Sequence, residues 1–184
     1  MTLEEVKKAA RKAAFARRKA AHAADPGTGA GVLSSLLAGY RGVPLSGYMP
    51  IRSEIDPLPA MAEAAAHGPV GIPVIDGAGL PLRFARWEPD MPLVDGPFGA
   101  RIPEVPEFFD PEILIVPLVA FSRTGGRLGY GGGFYDRTLE RLRAKRPTLA
   151  VGFAYAAQED ADISLEPTDQ PLDMIVTESE VLTP

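Results

Sequence analysis

Short apolar runs broken by proline and glycine alternate along this chain with longer polar stretches carrying helical spacing, a pattern that predicts strands interleaved with helices. The strand-like runs are Val43–Met49, Val70–Ile75, Leu82–Trp87, Ile113–Val116, Leu149–Phe153 and Met174–Val176. Thr2-Leu3-Glu4-Glu5 reads as a capping box opening a helix that runs to about Ala24, where Asp25-Pro26-Gly27 stops it. Shorter helices are expected over Val32–Leu37, over Pro57–Ala66 with proline in the first turn, and over Thr138–Lys145. Met91–Phe109, rich in proline and glycine, reads as a long irregular connection. Strands alternating with helices predict an α/β fold with a mixed, mostly parallel, doubly wound sheet flanked by helices. No internal repeat or domain boundary interrupts the pattern, so residues 1–184 are read as one domain.

Composition narrows the classes. A net charge of −5 argues against bulk electrostatic binding to nucleic acid. The absence of cysteine excludes disulfides, thiolate metal sites and cysteine nucleophiles. No apolar run is long enough to span a bilayer, and the charged, alanine-rich start lacks the apolar centre of a secretory signal. The expectation is a cytoplasmic protein, monomeric, with small-molecule ligands and neither nucleic-acid nor membrane partners.

The most informative segment is Arg127-Leu128-Gly129-Tyr130-Gly131-Gly132-Gly133-Phe134-Tyr135-Asp136. It stands between the apolar run Ile113–Val116 and a helical segment, the arrangement in which α/β proteins present backbone N–H groups to phosphate. Four glycines in five residues let a ligand approach the backbone closely. A structural turn is the plainer alternative. The alternating Gly129, Gly131 and Gly133 do not make the G-x-G-x-x-G dinucleotide fingerprint, and the loop falls late in the chain. A G-x-x-x-x-G-K-[ST] loop, a G-x-S-x-G elbow and an H-E-x-x-H site are absent. His22 and His67, the two histidines, are read as surface residues, which disfavours histidine-centred catalysis.

Other positions carry chemistry only in combination. Lys7 and Arg11 lie four apart on one face of a strongly basic first helix, either as a solvated surface or as a phosphate-facing pair. Asp136 and Asp169 read singly as cap or turn residues, yet brought to one phosphate they can hold Mg²⁺. Glu54 reads as a solvated loop residue or, beside Tyr48 and Met49, as an acceptor for a planar polar ligand.

Together these motifs resemble the 5-formyltetrahydrofolate cyclo-ligase family, also called methenyltetrahydrofolate synthetase. Val116-Pro117-Leu118-Val119-Ala120-Phe121-Ser122-Arg123, continuing into Arg127–Asp136, is similar to the family's VPGxAFDxxGxRLGxGxGYYD pattern. Lys7 with Arg11, Tyr48-Met49-Pro50 with Glu54, Val151-Gly152-Phe153 with Gln158, and Asp169 through Glu178 follow in family order. The resemblance implies a Rossmann-like three-layer fold with a folate cleft beside an ATP site, and ATP- and Mg²⁺-dependent cyclisation of 5-formyltetrahydrofolate. It further implies Lys7, Arg11 and Arg127 through Tyr135 at the ATP phosphates, with Arg127 and Tyr135 catalytic. Met49, Glu54 and Tyr130 through Phe134 would border the folate, and Asp136 and Asp169 the metal. The chain departs from the pattern at Gly132, where some members have lysine, at Phe134, where tyrosine is common, at Ser122 in place of aspartate, and at Thr168 in place of histidine. Two rival readings are an ATP-dependent ligase or kinase acting on a non-folate heterocycle, and a non-catalytic folate- or nucleotide-binding regulator.

Overall fold

A computed structural model describes residues 1–184. Helix α1 spans Leu3–Ala24; Thr2 caps it, its side chain accepting from the Glu5 N–H while the Glu5 carboxylate accepts from the Thr2 N–H. Helices α2 (Gly31–Leu37), α3 (Leu58–Ala65) and α4 (Phe134–Lys145) follow.

The strands are β1 (Leu45–Ser46), β2 (Val70–Ile75), β3 (Leu82–Arg86), β4 (Leu93–Asp95), β5 (Arg101–Pro103), β6 (Phe108–Phe109), β7 (Ile113–Pro117), β8 (Ala120–Phe121), β9 (Arg127–Leu128), β10 (Leu149–Phe153), β11 (Met174–Val176) and β12 (Val181–Leu182). Eight of them form one sheet in the order β12-β11-β10-β7-β1-β2-β3-β6. Its five central strands pair in parallel; β12 on one side and β3 on the other run antiparallel to them, and β6 pairs antiparallel with β3 to complete the edge. The expected α/β class with a mostly parallel mixed sheet is therefore borne out.

Strand β7 shows how the layers arise. Successive side chains point to opposite faces, so Ile113 and Ile115 join the core under α2 and α3 while Leu114 and Val116 join the core under α4. All four are essentially buried, as the unbroken apolar run requires of a central parallel strand. A smaller third core places Ala14 of α1 against Val119, Ala120 and Leu128.

Three expectations need correction. Met91–Phe109 is not irregular: it holds the β4–β5 hairpin and edge strand β6, each too short to register as periodicity. The glycine loop does not follow the apolar strand directly either. The β8–β9 hairpin intervenes, with its turn closed by Ser122, whose Oγ accepts from the Gly126 N–H at 3.0 Å. The predicted strand Val43–Met49 contracts to Leu45–Ser46, because Gly47 onwards leaves the sheet to form the site.

Candidate functional site

The chain winds outward from β1 to β2, β3 and β6, then returns to β7 and winds the other way through β10, β11 and β12. Neighbouring β1 and β7 thus form a topological switch point, and the crevice beyond their carboxyl ends is where open α/β sheets hold ligands. A cavity of about 900 Å³ lies there. Tyr48 and Met49 enter it from the end of β1, Pro117 and Leu118 from the end of β7, and Lys7 and Arg11 from α1. All of Arg127–Asp136 and Asp169 border it as well, so every site residue expected from the sequence converges on one cavity.

Local geometry explains the convergence. Gly131 and Gly133 have φ of 97° and 67°, left-handed values that admit glycine cheaply. Gly133 is the residue from which α4 starts, so the helix N-terminus opens under the loop. Thr138 fixes that end to the sheet: its hydroxyl donates to the Phe134 carbonyl at 2.6 Å and accepts from the Leu82 N–H at 2.9 Å. Arg11 Nε donates to the Gly129 carbonyl at 2.9 Å, tying α1 to the loop. Leu128 turns its side chain into the small core beside Ala14, leaving only its backbone to a ligand.

Arg127 is nearly buried and its Nη2 pairs with Asp136 Oδ1 across the loop. The same carboxylate oxygen accepts from the Gln170 N–H at 2.9 Å, which brings the turn holding Asp169 alongside. Burial pulls the Arg127 guanidinium below its usual range despite the nearby Asp169 charge, and its Nε has no partner. Asp169 Oδ2 caps its own turn by accepting from the Glu166 N–H at 2.8 Å.

One oxygen of each aspartate is therefore free of protein hydrogen bonds, which suits a hard divalent cation completed by phosphate oxygens and water. Charge balance points the same way. Lys7, Arg11, Arg52 and Arg127 face the cavity against seven carboxylates, Glu4, Glu54, Asp136, Asp160, Asp162, Glu166 and Asp169. A polyphosphate entering alone would meet net repulsion. No group of three or more acidic or histidine side chains forms a self-sufficient metal cage, so such an ion would arrive with its ligand.

Glu54 is not solvated; it is 4% exposed. Arg52, at φ 52°, turns the loop back so that the Ile51 N–H reaches Glu54 Oε1 at 2.9 Å. Burial raises the carboxyl above its ordinary range, opposed by hydrogen bonds from Ile51 and Tyr130 and by the Arg18 charge. The Tyr130 hydroxyl, donating to Glu54 Oε2 at 2.9 Å, is pushed up to about 12 by burial. Tyr135 is raised further by burial and by Glu54, so it remains a proton-bearing donor at neutral pH.

Two arginines escaped the sequence reading. Arg18 is 1% exposed and donates to Ser53 and Tyr130. Its signal was available: Lys7, Arg11, Ala14 and Arg18 are spaced 4, 3 and 4, one continuous face of α1. Arg137 folds its guanidinium back over the Phe134 ring at 5.2 Å, with Nε and Nη2 unpartnered, and nothing in the linear pattern marks it. His22 and His67 are exposed, as expected. No helix is long and apolar enough to cross a membrane.

Comparison with known proteins agrees with this geometry. The family model for the 5-formyltetrahydrofolate cyclo-ligase family matches residues 4–178. The chain is 42% identical over 96 residues to a Haemophilus influenzae protein named 5-formyltetrahydrofolate cyclo-ligase, covering 50% of this chain and 51% of the relative. A Mycolicibacterium smegmatis protein of the same name is 34% identical over 147 residues, 74% of this chain and 71% of that one. The match thus spans about half the length of the first relative and more of the second. Among solved structures, the Aquifex aeolicus 5,10-methenyltetrahydrofolate synthetase superposes with a TM-score of 0.76 at 26% identity, over 97% of this chain and 92% of the other. With the match running from α1 through the glycine loop to β11, the chain belongs to the 5-formyltetrahydrofolate cyclo-ligase family.

Proposed function

We propose that residues 1–184 act as one cyclo-ligase domain that uses ATP, with Mg²⁺, to convert 5-formyltetrahydrofolate to 5,10-methenyltetrahydrofolate, ADP and phosphate. The observation that carries this reading is the single 900 Å³ cavity in which the glycine loop and its free carboxylate oxygens border buried Glu54. That volume is at the upper end for small-molecule sites and suits two ligands lying side by side.

In this reading the formyl oxygen on N5 attacks the γ-phosphorus, ADP leaves, and an N5-iminium phosphate forms. N10 then adds to the activated carbon and the five-membered ring closes. The C–O bond breaks to release phosphate, and the N10 proton passes to phosphate or solvent. No covalent nucleophile on the protein is needed, in keeping with a cavity that offers none of cysteine or histidine.

The chain's work is positioning and electrostatic stabilisation. Lys7, Arg11 and the glycine-loop amides hold the phosphates, and Arg127, which lines the cavity beside Asp136, supplies positive charge near the phosphoryl group as its charge spreads. Tyr135, kept protonated, donates a hydrogen bond without serving as a base. Glu54 accepts from the heterocycle, with Met49 and Phe134 as its apolar walls. Asp136 and Asp169 would hold the metal, which when bound neutralises phosphate charge. The test is formation of the methenyl product, followed by its ultraviolet absorbance, from 5-formyltetrahydrofolate, ATP and Mg²⁺. Product requiring all three supports the reading; folded, ATP-binding protein yielding none overturns it.

A further inference from the structure

Arg18 lies inside the protein with no carboxylate within ion-pairing distance, an expensive arrangement unless its charge is used through an intermediary. Its Nε donates to Ser53 Oγ at 2.9 Å and its Nη1 to Tyr130 Oη at 2.6 Å. Phe15 and Tyr130 flank the guanidinium with ring centres 5.0 and 5.7 Å from it, which fixes its plane. Arginine can only donate, so the Tyr130 oxygen must accept from it, and the one phenolic proton is left for the 2.9 Å bond to Glu54 Oε2. The relay therefore runs one way, from cation to carboxylate.

Its consequence falls on Glu54. Each carboxylate oxygen has room for about two hydrogen bonds. Oε2 uses one on Tyr130 and Oε1 one on the Ile51 N–H, leaving one acceptor site on each oxygen. Two adjacent free acceptors on a carboxylate held at both oxygens match the paired N–H donors along the edge of a planar amino-substituted heterocycle. We propose that Arg18 and Tyr130 are positioning residues, a polarised relay that keeps Glu54 ionised and aimed at such an edge. The inference rests on the folate reading above for the identity of the ligand, and on the relay alone for the state of Glu54.

The groups facing Glu54 are Arg18 from α1, Tyr48 from the end of β1, Tyr130 from the glycine loop and Tyr135 from α4, with Asp56 further along its own loop. Burial raises all three tyrosines above their ordinary range, so none ionises where the carboxyl does. Tyr130→Phe removes a bond that favours the carboxylate, so the variant's Glu54 should ionise at higher pH than the wild type's.

The closing experiment has two arms. In ligand-free protein carrying ¹³C-labelled glutamate, the Glu54 carboxyl signal, assigned by its loss in Glu54→Gln, is followed against pH in wild type and Tyr130→Phe. A higher midpoint in the variant is expected; an unchanged midpoint overturns the relay. In turnover assays the variant should raise KM for 5-formyltetrahydrofolate about 5- to 20-fold, with kcat and KM for ATP changing much less. The acid limb of kcat/KM should move to higher pH, and the gap from wild type should narrow in alkali as both carboxyls ionise. A uniform loss with an unmoved acid limb would mean that Tyr130 only supports the fold, and overturns the proposal. Inactive wild-type protein would refute the folate reading while leaving the midpoint comparison valid.

Discussion

Gly132 and Phe134 are interlocked: a Cβ on Gly132 would lie 2.9 Å from Cε2 and 3.0 Å from Cδ2 of the Phe134 ring. The ring is held in turn by Phe98, edge-on at 6.5 Å, and by the Arg137 guanidinium. These two of the four departures from the family pattern are thus one steric feature. Gly132→Ala should cost about 1 kcal/mol of stability through overpacking, measured by urea unfolding. In a Phe134→Ala background the cost should largely disappear, a non-additivity expected of residues in contact. Full additivity would mean the ring moves aside freely.

The two aspartates should separate folding from chemistry. Asp136→Asn removes the charge opposite nearly buried Arg127 and should destabilise the protein by about 1 to 2 kcal/mol, less than for a fully buried pair because the carboxylate is about a third exposed. Asp169→Asn keeps a side-chain oxygen to cap the Glu166 N–H, so its Tm should stay near wild type. On the proposed reading both variants lose turnover, and Asp169→Asn additionally requires more Mg²⁺ to reach half its maximal rate. Melting curves paired with a Mg²⁺ titration check this; equal destabilisation by the two substitutions would contradict the assigned pairing.

Lys7 Nζ is bound to Glu166 Oε2 at 3.1 Å with both side chains about a third exposed. On the proposed reading, phosphate competes with that carboxylate for the ammonium group. An exposed pair is worth roughly 0.5 kcal/mol, so Glu166→Gln should lower KM for ATP about two- to threefold and leave thermal stability nearly unchanged. Initial-rate kinetics at low and high salt provide the measurement, with the advantage expected to shrink as salt rises.

Glu54 carries a cost that the fold bears for its site. Burial raises its carboxyl above the unfolded value, so its contribution to stability is present at low pH and is lost as pH rises through the folded value. Glu54→Gln should therefore melt at a higher temperature than wild type at pH 8, with the difference shrinking toward pH 4. Folate turnover should fall at every pH. A variant no more stable than wild type at pH 8 would show that the relay from Arg18 fully offsets the burial.

Helix α1, with its Thr2–Glu5 capping box, and the buried run of β7 were legible because one local signal fixes each. The glycine loop was legible for the same reason, since left-handed turns and close approach demand glycine in sequence. What escaped depends on contacts between distant segments. Strand β6 is two residues long and exists by pairing with β3. Buried Glu54 takes its hydrogen bond from Tyr130, 76 residues away. Arg18 looked like one more cation on a basic helix, because composition hides which turn of α1 faces inward. Arg137 is oriented by an aromatic ring only three positions earlier, but its place beneath Gly133 follows from the left-handed start of α4.

The cavity's walls come from residues 3–11, 48–54, 73–82, 98–100, 116–136 and 160–169. A chain emerging from the ribosome consequently has no complete ligand site until the turn around Asp169 is out. Before then, no ligand of this cavity can act as a template for folding. Afterwards, ligand binding stabilises only the finished arrangement, by mass action, so ligand supply acts on the lifetime of the mature protein and not on its early folding.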